Sequence, residues 1–271
     1  MLALIAGTGD LPTRIAHRLK VWPLVCALDG VPPTELLPEL TFRLETLGSF
    51  LQDLADRGVH QVCFAGAISR PKVDASQIDM ATAPLVPRLL AAMAQGDDAA
   101  LRTVIDIFEA AGFQIVGADA VLQDAILPSG IPTQHRPSDQ DRADAERALS
   151  ILAVLSPLDV GQACVVASGQ VLGIEGLGGT DFMLHNFLGP NGQRHPRLSA
   201  EGGVLVKLPK IGQDRRLDMP TIGVTTIEHV ARAGLHGIVI EAGGVLVIDA
   251  TTVMTRADQL GLFIWVCEAS L

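Results

Sequence analysis

The chain has 271 residues, 48% of them hydrophobic and 18% charged, which excludes a disordered chain, a collagen-like chain and a small disulfide scaffold and leaves room for two domains. Thirty acidic against twenty basic residues give a net charge of −10, so the molecule's own field opposes coating a nucleic-acid duplex. No nucleic-acid partner is expected, and any phosphate must be held locally.

Cys26, Cys63, Cys164 and Cys267 stand singly in apolar runs, which reads as a reducing cytoplasm and small hydrophobic side chains. Met1 to Ala6 lacks a basic leader and is interrupted by Gly7-Thr-Gly-Asp10, so a signal peptide is not expected, nor is a spanning segment. With no Tyr and 4% aromatic residues, the composition suits either an aliphatic core or a lipid-handling surface.

In chain order, the first half alternates short β-type runs with helical patterns, the signature of a Rossmann-like parallel sheet covered by helices. Strands are predicted at Leu2 to Ala6, Pro23 to Leu28, Val62 to Ala65 and Phe113 to Val116. Helices are predicted at Leu11 to Lys20, Ser49 to Arg57, Pro84 to Ala94 and Asp97 to Ala111. Between Leu127 and Ser138 three prolines and little periodicity suggest a linker, which divides the chain into an N-terminal nucleotide-binding domain (1–130) and a C-terminal catalytic domain (138–271).

A helix from Asp139 to Leu155 opens the second half. A hairpin follows, Ala163 to Ala167 and Val171 to Glu175, joined by Ser168-Gly-Gln170. Further strands are expected at Val204 to Leu208, Gly237 to Ile240, Val245 to Ile248 and Leu262 to Val266, with helices near Phe182 to Phe187, Thr225 to Ala233 and Thr251 to Leu260, which makes a mixed α/β domain. No internal repeat is present.

Several loops are suited to chemistry. Gly7-Thr8-Gly9-Asp10-Leu11 lies between the first strand and first helix, where glycines let amides approach a phosphate. Pro12 replaces the third glycine of the dinucleotide fingerprint, although Asp29 ends the second strand where a ribose-binding acid would sit. Gly66, Ser69 and Arg70 follow the Val62 to Ala65 strand at the same sheet edge. Asp98 of Gly96-Asp-Asp98 either caps a helix or meets a ligand, and the same choice holds for Thr180 and Asp181 of Gly178-Gly-Thr-Asp181.

Two of the four lysines, Lys207 and Lys210, fall within one tetrapeptide that leads to Arg215-Arg216 and Asp218, a local positive well suited to a pyrophosphate. Glu241 ends a buried strand and is either a turn residue or a desolvated functional carboxylate. The histidines show no zinc-hydrolase spacing, and there is no nucleophile elbow. What remains is acid- and metal-assisted chemistry on phosphate, with Asp218, Asp181 or Glu241 able to hold one Mg²⁺.

The ordered motifs Ile5-Ala-Gly-Thr-Gly-Asp-Leu-Pro12, Phe64-Ala-Gly-Ala-Ile-Ser-Arg-Pro71, Gly96-Asp-Asp98, Gly178-Gly-Thr-Asp181 and Asp218-Met-Pro-Thr-Ile-Gly223 resemble those of LpxI-type UDP-2,3-diacylglucosamine pyrophosphatases over nearly the full chain. The resemblance implies hydrolysis of UDP-2,3-diacylglucosamine to 2,3-diacylglucosamine 1-phosphate and UMP in lipid A biosynthesis. It also implies Mg²⁺ dependence, water attack on the α-phosphorus and a substrate held between two domains.

By the same resemblance Asp218 holds Mg²⁺ or the attacking water, with Lys207 and Lys210 beside it. We further expect the Gly7 to Leu11 loop and the Ser69-Arg70 turn to face the UDP portion, Thr180, Asp181, Lys207 and Lys210 to surround the pyrophosphate and glucosamine, and Gly66, Asp98, Thr221 and Glu241 to add substrate contacts. Two acyl chains make peripheral contact with the inner membrane an expectation, and a homodimer is compatible. The rivals are a non-catalytic UDP-sugar or lipid carrier and an NAD-linked oxidoreductase.

Overall fold

A computed structural model describes residues 1–68, 73–94, 97–192, 194–195, 198, 202–216 and 219–268. The chain forms two compact units, Met1–Gln123 with Asp214–Asp218, and Asp124–Gln213 with Met219–Leu271.

The first unit runs β1 (Leu2–Ala6), α1 (Leu11–Arg18), β2 (Leu24–Leu28), β3 (Leu40–Phe42), α2 (Leu47–Asp56), β4 (Gln61–Ala65), α3 (Val86–Met93), α4 (Asp97–Ala110), β5 (Gln114–Ile115) and α5 (Ala118–Val121). Its five strands lie in the order β3-β2-β1-β4-β5, every neighbouring pair parallel. β2 is buried throughout and β1 at all but its first residue, as expected where helices cover both faces of a parallel sheet, so these strands read as continuous apolar runs.

One face packs Ile5, Cys26 and Val62 against Leu54, Ile105 and Phe108. Phe42 stacks on Phe50 at 4.1 Å, and Phe64 meets Phe108 edge-on at 5.2 Å. β3 has no counterpart among the predicted strands. Its three residues are too few for a periodicity to show, and only pairing with β2 at Cys26↔Leu40 reveals it.

The second unit runs α6 (Asp139–Leu155), β6 (Ala163–Ala167), β7 (Gln170–Ile174), α7 (Gly179–His185), β8 (Val204–Lys207), β9 (Thr221–Ile222), α8 (Val224–Arg232), β10 (Gly237–Glu241), β11 (Leu246–Val247), α9 (Ala250–Gln259) and β12 (Phe263–Cys267). The main sheet has the order β12-β10-β8-β6-β7. β8, β10 and β12 are parallel, while β6 is antiparallel to both β8 and β7. α6 covers the face bearing Val204, Val206 and Val239, and α8 and α9 cover the face bearing Leu205, Ile238 and Ile240.

The run expected as the fifth β segment of this half, Val245 to Ile248, stays out of this sheet. Its core, β11, pairs with β9 in a separate two-stranded ladder.

The Pro-rich stretch Leu127 to Ser138 is not a free linker. Gly130 exchanges both backbone hydrogen bonds with Val266, and the buried Thr133 hydroxyl accepts from the Ile264 amide at 2.9 Å. The stretch therefore seals the open edge of β12, which would otherwise present unpaired amides. Prolines suit that duty because an edge needs only a few donors and acceptors from the covering segment.

The β6–β7 turn has Ser168 at φ 49° and Gly169 at φ 76°, the pair of left-handed residues that a two-residue hairpin requires. Their amides are held by the buried carboxylate of Asp144 on α6, at 2.8 and 2.7 Å. Asp144→Ala leaves both amides without that acceptor, so chemical denaturation should report a loss of about 1–3 kcal/mol. An unchanged midpoint would mean that the turn is self-sufficient.

Candidate functional site

In the second unit the parallel strands end at a polar cleft of about 250 Å³, lined by Glu175, Thr180, Asp181, Lys207, Thr221 and Thr226. Ligands collect at such carboxyl edges because the strand ends diverge into loops. Lys207 is the last residue of β8. By strand alternation it lies on the same face as Leu205, and its Nζ donates to the Thr221 carbonyl at 3.0 Å. Only 7% of this lysine is exposed, so its charge depends on surrounding oxygen atoms.

Glu175, Thr180 and Thr226 are buried as well. The Glu175 carboxylate accepts from the Gln162 amide at 3.4 Å, and the Thr226 hydroxyl accepts from the Gly223 amide at 3.4 Å. The Thr180 hydroxyl has no hydrogen-bond partner. Neither Thr180 nor Asp181 caps α7: the cap position is Gly178, and no side chain bonds to the helix start. Asp181, more than half exposed, lies 3.1 Å from Nδ1 of His229.

The lysine pair does not act as a cluster. Lys210 binds Asp159 at 2.6 Å, and Arg216 is bound by Asp214 and Glu109. Each of these two cations meets a carboxylate of its own unit, and of the lysine pair it is Lys207 that lines the cleft. Glu241 does not line the cleft either. It is buried at the end of β10, where its carboxylate lies against Gly244. Glu175 and Thr226 join the site without having been singled out in the sequence.

In the first unit, the loop after β1 and the turn after β4 are tied to each other. The Gly7 amide donates to Ala65, Thr8 and Ala67 exchange backbone bonds, and the Gly9 amide donates to the Thr34 hydroxyl at 2.9 Å. A Cβ on Gly7 would meet the Ala67 carbonyl, and one on Gly66, at φ 88°, would meet that of Thr8. These two glycines therefore serve close loop packing, and the three amides expected to face a phosphate are already engaged. Asp10 is exposed and makes no cap bond, while Leu11 opens α1.

Asp98 lies in the first turn of α4; its side chain, and Ser69, Arg70 and Asp218 altogether, are outside the described residues.

Asp29 is bound by Arg43 at 3.1 Å, and Arg43 also binds the buried Glu45 beside a cavity of about 300 Å³. The Arg43 hydrogen bond, with the Asp74 amide, pulls the Glu45 carboxyl down to about 2. All four cysteines are buried free thiols, and burial pushes Cys26 and Cys63 up to about 12, which excludes those two as nucleophiles. No group of three or more His, Cys, Asp or Glu side chains poised for a metal occurs among the described residues.

Residues 1–125 match the family model of the LpxI N-terminal domain, and residues 128–265 match that of the LpxI C-terminal domain. A protein of Caulobacter vibrioides named UDP-2,3-diacylglucosamine pyrophosphatase LpxI is 39% identical over 268 residues, covering 97% of this chain and 96% of its own length.

A buried hydroxyl with nothing to bond is a stability cost retained for another purpose. Thr180→Val should therefore leave thermal stability unchanged or raise it by up to about 1 kcal/mol. A loss above that size in a melting experiment would show that the hydroxyl is satisfied within the protein.

Proposed function

The chain belongs to the LpxI family, and from that premise we propose that it hydrolyses UDP-2,3-diacylglucosamine to 2,3-diacylglucosamine 1-phosphate and UMP in lipid A biosynthesis. The observation that carries the reading to the second unit is the buried, unpartnered Thr180 hydroxyl in the cleft that also holds Lys207. A pyrophosphate supplies the acceptor oxygen that the Thr180 hydroxyl lacks and a counter-charge for Lys207. Lys207, desolvated and fixed by the Thr221 carbonyl, is prepared for negative charge without reorganising.

The cleft also fits Mg²⁺. Its donors are hard oxygens, and one or two carboxylates plus substrate phosphate oxygens are the usual set for this ion. Glu175 and Asp181 would hold it at the cleft, and the family resemblance separately implies a role for Asp218 toward the ion or the attacking water. When bound, the ion neutralises charge on the phosphoryl oxygens and lowers the pKa of a water. His229, 3.1 Å from Asp181, orients that carboxylate.

The oxidoreductase rival is weakened because the Gly7, Thr8 and Gly9 amides bond within the unit rather than standing open to a dinucleotide. A carrier would need the same pocket but no essential carboxylate. No helix among the described residues is long and apolar enough to cross a membrane. Peripheral contact at the cytoplasmic face of the inner membrane belongs to the same proposal. Leu177, fully exposed, and Phe182, 61% exposed, flank the Gly178-Gly179 edge of the cleft and supply apolar contact.

Incubation with UDP-2,3-diacylglucosamine should release UMP with Mg²⁺ and not with EDTA. Asp218→Ala should lose turnover but keep ligand, and Lys207→Met and Thr180→Val should each lower kcat/KM by roughly ten- to a thousandfold. In ¹⁸O-water, attack on the α-phosphorus puts label into UMP, whereas label in the sugar phosphate would move the attack to the β-phosphorus. Folded wild type that binds substrate but releases no UMP would leave the carrier reading standing.

Vesicle co-sedimentation tests the membrane contact. Leu177→Ser with Phe182→Ser should weaken binding to anionic vesicles by about tenfold or more, and wild type that stays in the supernatant refutes the contact.

A further inference from the structure

Charge is unevenly spread along this acidic chain. From Leu11 to Leu28, through α1 and β2, the sequence carries Arg14, Arg18 and Lys20, with His17, and no Asp or Glu. All four of those side chains are exposed. Arg14 and Arg18, four residues apart, share one stripe of α1, away from its buried Pro12, Ile15 and Ala16.

After Arg18 the backbone turns extended at Leu19, and Lys20, Val21 and Trp22 lead into β2. Val21 is 78% exposed and Trp22 52%. Met1, 51% exposed, lies beside them: β1 pairs with β2 at Ala3↔Leu24, and two places back along that register Met1 is level with Trp22. The His17 ring meets the Trp22 ring edge-on at 5.4 Å, which fixes the indole at the end of α1. Single exposed apolar side chains are ordinary on a folded surface, whereas adjoining ones rimmed by polar groups mark an interaction site.

These residues form the amino-terminal edge of the first sheet, the opposite edge from the one where ligands of open α/β sheets bind. On the β3 side the acidic Glu35 and Glu39 bound it.

We propose that this edge docks on the headgroup region of an anionic lipid bilayer, with Val21, Trp22 and Met1 entering the interface and Arg14, Arg18 and Lys20 facing the lipid phosphates. Tryptophan concentrates at that depth because its ring is apolar and its N–H polar. Basic side chains close to the surface feel the membrane's negative potential, while acidic groups further than about one Debye length, ~8 Å, are screened from it. The net charge of −10 therefore does not oppose a contact confined to this edge. A second copy of the chain fits less well, since a twofold contact would bring the same basic side chains together. The docking face depends neither on the pyrophosphatase reading nor on the apolar residues beside Gly178 and Gly179.

Trp265→Phe leaves Trp22 as the single tryptophan and makes it a reporter. Its emission should shift to the blue with vesicles of phosphatidylglycerol and phosphatidylcholine, and much less with phosphatidylcholine alone. In co-sedimentation, Val21→Ser with Trp22→Ser should weaken binding to the anionic vesicles at least about tenfold. Lys20→Gln should weaken it about fivefold, a difference that high salt removes. Leu177→Ser with Phe182→Ser should leave the Trp22 shift in place.

Unshifted Trp22 emission on vesicles that still carry the protein down puts the contact elsewhere and overturns the proposal, as does equal binding to neutral and anionic vesicles. The Val21→Ser, Trp22→Ser variant should release UMP from detergent-dispersed substrate at the wild-type rate. UMP release without a Trp22 shift removes the docking face while the enzyme reading stands. A Trp22 shift in a protein that releases no UMP removes the enzyme reading and leaves the docking face.

Discussion

An ammonium group drawn almost wholly out of water persists only where oxygen atoms replace its hydration shell. Lys207 imposes that condition at the end of β8, and the architecture of the second unit meets it. Three parallel strands bring their carboxyl ends to one edge, the β9–β11 ladder presents the Thr221 carbonyl to Nζ, and the turn into α7 brings Thr180 and Asp181 alongside. The cleft is thus built around one cation rather than a basic surface, which suits an acidic protein with only four lysines. A localised charge held in a low-dielectric pocket acts more strongly on a phosphoryl group than several solvated ones.

The remainder of the unit keeps that edge in place. α6 is fixed at its start by the Ser138–Asp141 capping box and near its middle by Asp144, which carries the β6–β7 turn. The Pro-rich cover on β12 closes the far side of the sheet through Gly130 and Thr133. Thr180 departs from local economy, as does the buried Gln162 side-chain oxygen, each left without a bond, and such departures from self-consistency concentrate where a ligand completes the structure. The first unit shows the complementary arrangement, loops satisfied among themselves beside an apolar cavity.

Much of the fold was legible because its signals are local. The β1 run followed by Gly7, the Pro12 helix start and the Ser168-Gly169 hairpin each depend on a few adjacent residues, and each takes its expected form. What escaped was set by partners distant in sequence. β3 and β9 are three and two residues long and become strands only by pairing, and the expected Val245 to Ile248 run pairs with β9 rather than joining the main sheet. The Leu127 to Ser138 stretch reads as a linker by composition but becomes an edge cover through Val266 and Ile264.

The same holds for the site. Lys207 and Lys210 are three residues apart, and no spacing rule tells that Pro209 separates a buried lysine from one bound to Asp159. Glu175 looked like an ordinary strand end, and its role depends on the Thr180 and Lys207 side chains that share its cleft. Family motifs pointed to Gly7 and Gly66 as ligand contacts, whereas their geometry first explains them as the close approach of two loops.

On the proposed reading the pyrophosphate is held in the second unit's cleft. The most direct test is a crystal structure with Mg²⁺ and a methylene-bridged, non-hydrolysable analogue of the nucleotide sugar. A phosphonate oxygen should lie within hydrogen-bond reach of both the Thr180 hydroxyl and the Lys207 ammonium. An analogue whose phosphonates lie away from this cleft, with the Thr180 hydroxyl still unbonded, would contradict it.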